Sequence, residues 1–396
     1  MNAVVFSAEW DPRPSYVPTP KELSSGKATM ACHVWRRPSF TWEKVPDPRP
    51  GPDEVLLQVR ACGVCGSDTH CYETDDAGYV LFSGPVRLPV ICGHEYAAEV
   101  VEVGKDVREL QVGDLVAGEG MLSCGVCEAC RSFRPNQCPH LEMLGFSAPG
   151  AYAELVRAKE RFLWKLNGLA ERLGSRDRAC EVGALIEPIA CSYNGMFVSA
   201  GGMRPGSYVA VFGCGPIGLG AIALARAAGA AKVIGFEVGA ERREVARKLG
   251  ADAVFDPRET PADEVIRELT GGWGADMIVE AAGAATLTMP AIERSFAPGG
   301  RMVYLGRTGA RAPVLLDVLV TQAAGIVGAR GHSGGGCFPQ IIRLLENGRL
   351  DVEGMITRRY RPEATLDALV KSTDRTDAKI MVTHARELPD SENSAA

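Results

Sequence analysis

The stretch Val209 to Gly218, VAVFGCGPIG, constrains the fold of this chain more than any other. An apolar run of strand composition meets glycines at 213, 215 and 218, and helical composition follows at once, so a strand must turn tightly into a helix. Gly213 makes the turn, and Gly215 lets a pyrophosphate approach the backbone. Gly218 packs helix against strand, with Pro216 and Ile217 between them at the helix N-terminus that faces the phosphates.

The segments that follow repeat the same alternation. Strand-like Lys232 to Phe236, Ala253 to Phe255, Asp276 to Glu280, Arg301 to Leu305 and Ile326 to Gly328 alternate with helix-like Glu241 to Leu249, Ala262 to Thr270 and Leu287 to Ala297. Six short strands with helical crossovers predict an α/β, doubly wound parallel sheet, the Rossmann arrangement. Glu237 ends the second strand, 19 residues beyond Gly218, where an acid accepts both ribose hydroxyls of a dinucleotide. Its charge repels a 2′-phosphate, which favours NAD. Arg242 and Arg243 follow closely; Arg242 joins the expected cofactor contacts, and either leaves NADP open as the alternative.

With 396 residues, the chain is long for one core, and two domains are expected. Residues 1–50 are rich in Pro, Trp and Arg with little clear periodicity, whereas Glu54 to Ala61 and Tyr96 to Val103 alternate as half-buried strands do. A net charge of −6 provides no basic stripe for nucleic acid and no cationic face for a membrane. No signal peptide is read in Met1 to Pro20. The 13 cysteines are an odd count in a large chain, which suits a reducing cytoplasm better than a disulfide framework. The tail from Leu388 is polar and is expected to lack order.

Four of those cysteines, Cys124, Cys127, Cys130 and Cys138, follow the spacing C-x2-C-x2-C-x7-C. Thiolates this close converge on one centre and satisfy tetrahedral zinc completely, leaving no open position, so the expected role is to brace a loop. An iron–sulfur cluster or free thiols are the alternatives. A nucleic-acid zinc ribbon fits poorly, since Glu128 and Glu142 oppose Arg131 and Arg134. A second, sparser set consists of Cys65 in GVCGSD, His94 and Glu95 in CGHE, and Glu187 in LIEPIA. One thiolate, one imidazole and two carboxylates make a plausible open zinc site.

Taken in order, GVCGSD, GHE, the cysteine loop, the EP motif and FGCGPIGL resemble the zinc-dependent medium-chain alcohol dehydrogenases over nearly the whole chain. The resemblance implies a GroES-like catalytic domain over residues 1–195 with both zinc sites, a Rossmann domain over 196–335, and a return to the first domain over 336–396. It makes Cys65 and His94 zinc ligands, sets Glu95 on or beside the metal, and gives Glu187 the third-ligand position. Asp68 then orients His94. The implied chemistry is hydride transfer from an alcohol carbon to NAD, with Ser67 receiving the hydroxyl proton and His70 passing it to solvent. A homodimer or homotetramer is implied too.

Glutamate at 187 points to hydroxyl-rich substrates. The segments WDPRP (Trp10 to Pro14), VWRRP (Val34 to Pro38), ETDDAGY (Glu73 to Tyr79) and GHSGGG (Gly331 to Gly336) resemble those of cyclitol dehydrogenases. They imply a cyclitol of inositol, inosose or C7 type, with Asp75, Asp76, Tyr79 and His332 as candidate contacts. The rivals are a sorbitol-like polyol or L-threonine dehydrogenase and, from another class, a catalytically silent binding protein of the same fold.

Overall fold

A computed structural model describes residues 1–332 and 334–385; the tail from Leu388 lies outside them. The parallel sheet has six strands in the order Ala253–Phe255, Lys232–Phe236, Tyr208–Phe212, Ala275–Glu280, Phe296–Tyr304 and Gly325–Gly328. The chain starts at the middle, runs outward to one edge, then crosses back and runs to the other. The order therefore reverses between Tyr208–Phe212 and Ala275–Glu280, and the crevice beyond their carboxyl ends is where such sheets bind ligands. Gly213 sits there with φ +87°, and a Cβ on it would lie 2.6 Å from the Ala282 nitrogen. A Cβ at Gly218 would collide with the Gly213 carbonyl, so the helix Pro216–Ala227 can start this close only on glycine.

A second sheet holds Leu163–Lys165, Leu115–Gly118, Glu95–Val103, Glu54–Gly63, Lys379–Thr383 and Ile356–Tyr360, with Leu155–Lys159 paired to Glu54–Gly63. Its Glu54–Gly63 strand is thus flanked by Glu95–Val103 and by the returning strand Lys379–Thr383, which runs antiparallel to it. Helix Ile186–Tyr193 joins the two sheets: Ser192 Oγ donates to the Ile217 carbonyl at 2.6 Å. Val209, Val211 and Leu219 share one buried core with Ala61, Ala97 and Leu115. No helix among the described residues is long and apolar enough to cross a membrane.

The N-terminal segment departs from its aperiodic reading. Asn2–Trp10 pairs antiparallel with Trp35–Lys44, and Phe6 stacks on Phe40 at 4.5 Å. Arg36 and Pro38 occupy the same face as Phe40 and Trp42, and the register shifts between Ser7 and Glu9. Polar and imino residues at inward positions, with a bulge opposite, hide a period of two.

Candidate active site and metal centres

Cys65 caps the helix Gly66–Tyr72 in extended conformation, and its N–H donates to Asp68 Oδ2 at 3.1 Å. His94 and Glu95 stand at the start of the neighbouring strand. The sulfur of Cys65, a His94 ring nitrogen and a Glu95 oxygen all lie within 4.8 Å of one another. Asp68 Oδ1 is 3.5 Å from His94 Nδ1, and the Tyr152 hydroxyl is 3.0 Å from Asp68 Oδ2, so a fixed carboxylate backs the imidazole. Ser67 Oγ lies 3.4 Å from His94 Nε2.

Glu95 is fully buried, and its Oε1 has no partner, while Oε2 meets Lys379 Nζ at 2.5 Å. An unpartnered buried carboxylate oxygen beside a thiol and an imidazole fits a divalent cation, and zinc suits this donor set. Glu187 is not among the three converging residues. Its Oε1 lies 3.3 Å from His332 Nε2, which also accepts the Gly120 N–H at 3.2 Å. Burial pushes the Glu187 carboxyl up to about 7, with His94 opposing and Glu95 adding to the rise. His332, buried and beside the charge of His94, is pulled down to about 3. Glu187 therefore faces the cluster from the helix that links the two sheets.

Sequence reasoning missed Lys379. It lies 284 residues from Glu95 along the chain, and only the returning strand brings them together. Burial pulls its pKa down, but the charge and hydrogen bond of Glu95, together with Cys65 and Glu187, outweigh burial and hold the ammonium above its ordinary pKa. Gly63 between them leaves the space: a Cβ there would run into Glu95 and sit 3.4 Å from Lys379 Cδ.

Three of the residues considered for substrate contact have other work. Asp75 pairs with Arg13 and accepts the N–H groups of Ala77 and Tyr79, each at 3.0 Å. Tyr79 is buried under the Arg13 guanidinium, 4.0 Å from its ring centre. His332 is buried against Glu187. Asp76 is exposed. The N-terminal segment thus clamps the loop after the Cys65 helix. His70 is half-exposed with Nδ1 3.4 Å from Glu73 Oε2, and Arg375 holds the same oxygen at 2.6 Å.

The sulfurs of Cys124, Cys127, Cys130 and Cys138 also converge within 4.8 Å. N–H groups of Val126 and Cys127 draw the Cys124 thiol down to about 6. Such donors to sulfur favour thiolates, and so a metal. At the crevice, Glu237 Oε2 accepts the Cys214 N–H at 2.7 Å and Oε1 that of Gly239 at 2.8 Å. Arg242 extends over Gly215, and its Nε donates to the Asp377 carbonyl of the returning segment at 3.0 Å.

Residues 51–168 match the alcohol dehydrogenase GroES-like domain, and residues 216–347 the zinc-binding dehydrogenase model. A scyllo-inosose 3-dehydrogenase from Thermotoga maritima is 38% identical, over 96% of this chain and 99% of its own. An L-threonine 3-dehydrogenase from Caldanaerobacter subterraneus is 33% identical, over 79% of this chain and 86% of its own. A solved structure from Thermotoga maritima shows 37% identity and a TM-score of 0.93, covering 97% of this chain and 100% of that one. With likeness of this extent in both sequence and backbone, the chain belongs to the zinc-dependent medium-chain alcohol dehydrogenases.

Proposed function

We propose that the protein oxidises a secondary alcohol of a cyclitol, of inositol, inosose or C7 type, with NAD as hydride acceptor. The observation that carries the reaction is the Cys65–His94–Glu95 cluster with its unpartnered Glu95 oxygen, faced by Glu187. Cys65, His94 and Glu95, with Glu187 closing in from the facing helix, would hold a zinc ion there, which would supply the Lewis acidity that lowers a hydroxyl pKa. Asp68 fixes the orientation of His94, and Lys379 holds one Glu95 oxygen in place. Ser67 accepts the hydroxyl proton, and His70, half-exposed on the next turn, releases it to solvent. Gly213, Gly215, Pro216, Ile217 and Gly218 seat the pyrophosphate, with Arg242 over it.

NAD is preferred to NADP in this reading because Glu237 is pinned by two N–H groups with lone pairs left for ribose hydroxyls. Of the cations beside Glu237, Arg243 and Arg258 are both engaged by Asp256, at 3.1 and 2.6 Å, and Arg242 is turned to the Asp377 carbonyl at 3.0 Å. Cyclitol specificity is supported by the similarity to scyllo-inosose 3-dehydrogenase, which spans the N-terminal segment as well. Glu187 in the linking helix suits a hydroxyl-rich substrate. The cysteine loop carries the bracing zinc, and a reducing cytoplasm and a homo-oligomer complete the reading.

Initial rates of NADH formation with myo-inositol, scyllo-inosose, sorbitol and L-threonine test it. Cyclitol turnover above the other two is expected. Turnover of threonine with no cyclitol oxidised overturns the substrate reading.

A further inference from the structure

Glu187 and Asn194 stand about two helical turns apart, so they project from one face of the segment that links the two sheets. Glu187 lies in helix Ile186–Tyr193, and Asn194 opens the π-turn Asn194–Ser199 that continues it. Turns of this wide kind are rare and gather at functional sites. Asn194 is 2% exposed, and an amide buried this deeply has to find partners.

Its partners are backbone carbonyls just beyond the last strand of the parallel sheet. Asn194 Nδ2 donates to the Gly331 carbonyl at 2.9 Å and to the Arg330 carbonyl at 3.4 Å. Asn136 of the cysteine loop donates to the same Arg330 carbonyl at 2.8 Å. Gly331 takes φ +61°, and a Cβ on it would strike Met121 Sδ, so only glycine lets the backbone come this close to the first domain. The next residue, His332, is thereby delivered to Glu187. It is 1% exposed, and its ring centre lies 5.2 Å from that of Phe338. Its Nε2 accepts the Gly120 N–H at 3.2 Å and stands 3.3 Å from Glu187 Oε1. Fixed neighbours leave the imidazole one place to stand, and the ring in turn limits where the Glu187 carboxylate can go.

We propose that Asn194 is a positioning residue for the open metal site: its grip on the Arg330 and Gly331 carbonyls sets His332, and His332 sets how far Glu187 stands from Cys65, His94 and Glu95. The cysteine loop takes part through Asn136, so the bracing centre is joined mechanically to the reacting one. Hydrogen bonds one step behind a ligand fix its orientation, and losing them costs about tenfold to a hundredfold in metal affinity or activity. The inference rests on the reading of Glu187 as a zinc ligand that faces the cluster.

The test uses the full-length enzyme reconstituted with Co(II), whose visible bands follow the ligand set and geometry around the ion. The spectrum of Cys65→Ser, which keeps the loop metal alone, is subtracted from each, and all spectra are taken without NAD or substrate. Glu187→Gln is expected to shift the open-site bands. Asn194→Leu, which keeps the side chain's size and removes its donors, is expected to shift them too, with the circular dichroism spectrum unchanged. Its kcat for the cyclitol in the zinc enzyme should fall roughly tenfold to a hundredfold. Asn136→Ala should give a smaller shift in the same direction, and it carries the decision where Asn194→Leu fails to fold. Adding Asn194→Leu to Glu187→Gln should shift the bands no further. Unchanged bands in the asparagine variants, or a further shift in the double variant, overturn the positioning role. If Glu187→Gln shifts the bands and the asparagine variants do not, the ligand reading stands and the positioning role alone fails. If Glu187→Gln leaves them unchanged, the ligand reading falls and the positioning role with it.

Discussion

The Lys379 ammonium and the Glu95 carboxylate meet at 2.5 Å in the interior, and the ammonium also donates to the Val64 carbonyl at 2.9 Å. The second link lands one residue before Cys65, so the pair ties the returning strand to both sides of the metal cluster. Glu95 is left with one free oxygen, directed by its neighbours and not by solvent.

Removing one partner of such a pair leaves the other charge buried without compensation. Lys379→Met is expected to destabilise the fold by roughly 3–5 kcal/mol in urea unfolding. The double substitution Lys379→Met with Glu95→Gln should recover part of that loss, because no charge remains to be buried. Equal losses in the single and double variants would contradict the pairing.

The two metal centres should separate under mutation. Cys130→Ser is expected to release about half of the bound zinc and lower the thermal midpoint, since the four-thiolate loop braces its surroundings. Cys65→Ser should abolish NADH formation while the circular dichroism spectrum and the loop zinc are retained. Metal analysis by mass spectrometry on both variants checks this, and loss of all zinc from Cys130→Ser would refute independent sites.

Cofactor choice turns on Glu237. A carboxylate accepting two ribose hydroxyls contributes charge-assisted bonds of roughly 1.5–3 kcal/mol each, so Glu237→Ala should raise the KM for NAD by about tenfold or more. The ratio of kcat/KM for NAD over NADP should fall with it. A substitution that weakens both cofactors equally would place Glu237 in a purely structural role.

The pH profile should report His70. Burial first, and then the Arg375 cation, hold its imidazole below the ordinary value, with Arg307 adding to the effect and Glu73 opposing it. A lowered pKa keeps the ring neutral, and able to take a proton, further into acid. Arg375→Gln removes a depressing cation and releases Glu73 to favour the protonated ring, so both changes raise the pKa. The acid limb of kcat/KM is then expected to move to higher pH, and a shift to lower pH would refute the arrangement. His70→Asn should lack this limb.

Much of this protein is local, and so legible in the chain. The glycine turn at Gly213 to Gly218 depends on φ and on contacts a few residues away. The cysteine quartet spans 15 residues, and the alternation of strands and helices is a matter of period and punctuation. Family resemblance then named Cys65, His94, Glu95 and Glu187 as one group, although residues scattered over so many positions carry no signal in spacing. The pairing of Trp35–Lys44 with the first strand stayed hidden, because Arg36 and Pro38 take positions where a period-two pattern needs apolar residues. What only the tertiary structure decided are the partnerships between distant segments. Lys379 reaches Glu95 because a strand returns to the first sheet. Asp75 and Tyr79 answer to Arg13 because the N-terminal segment folds over their loop. A charge has no preferred partner in one dimension; packing chooses it by excluding water and bringing remote residues within bonding distance.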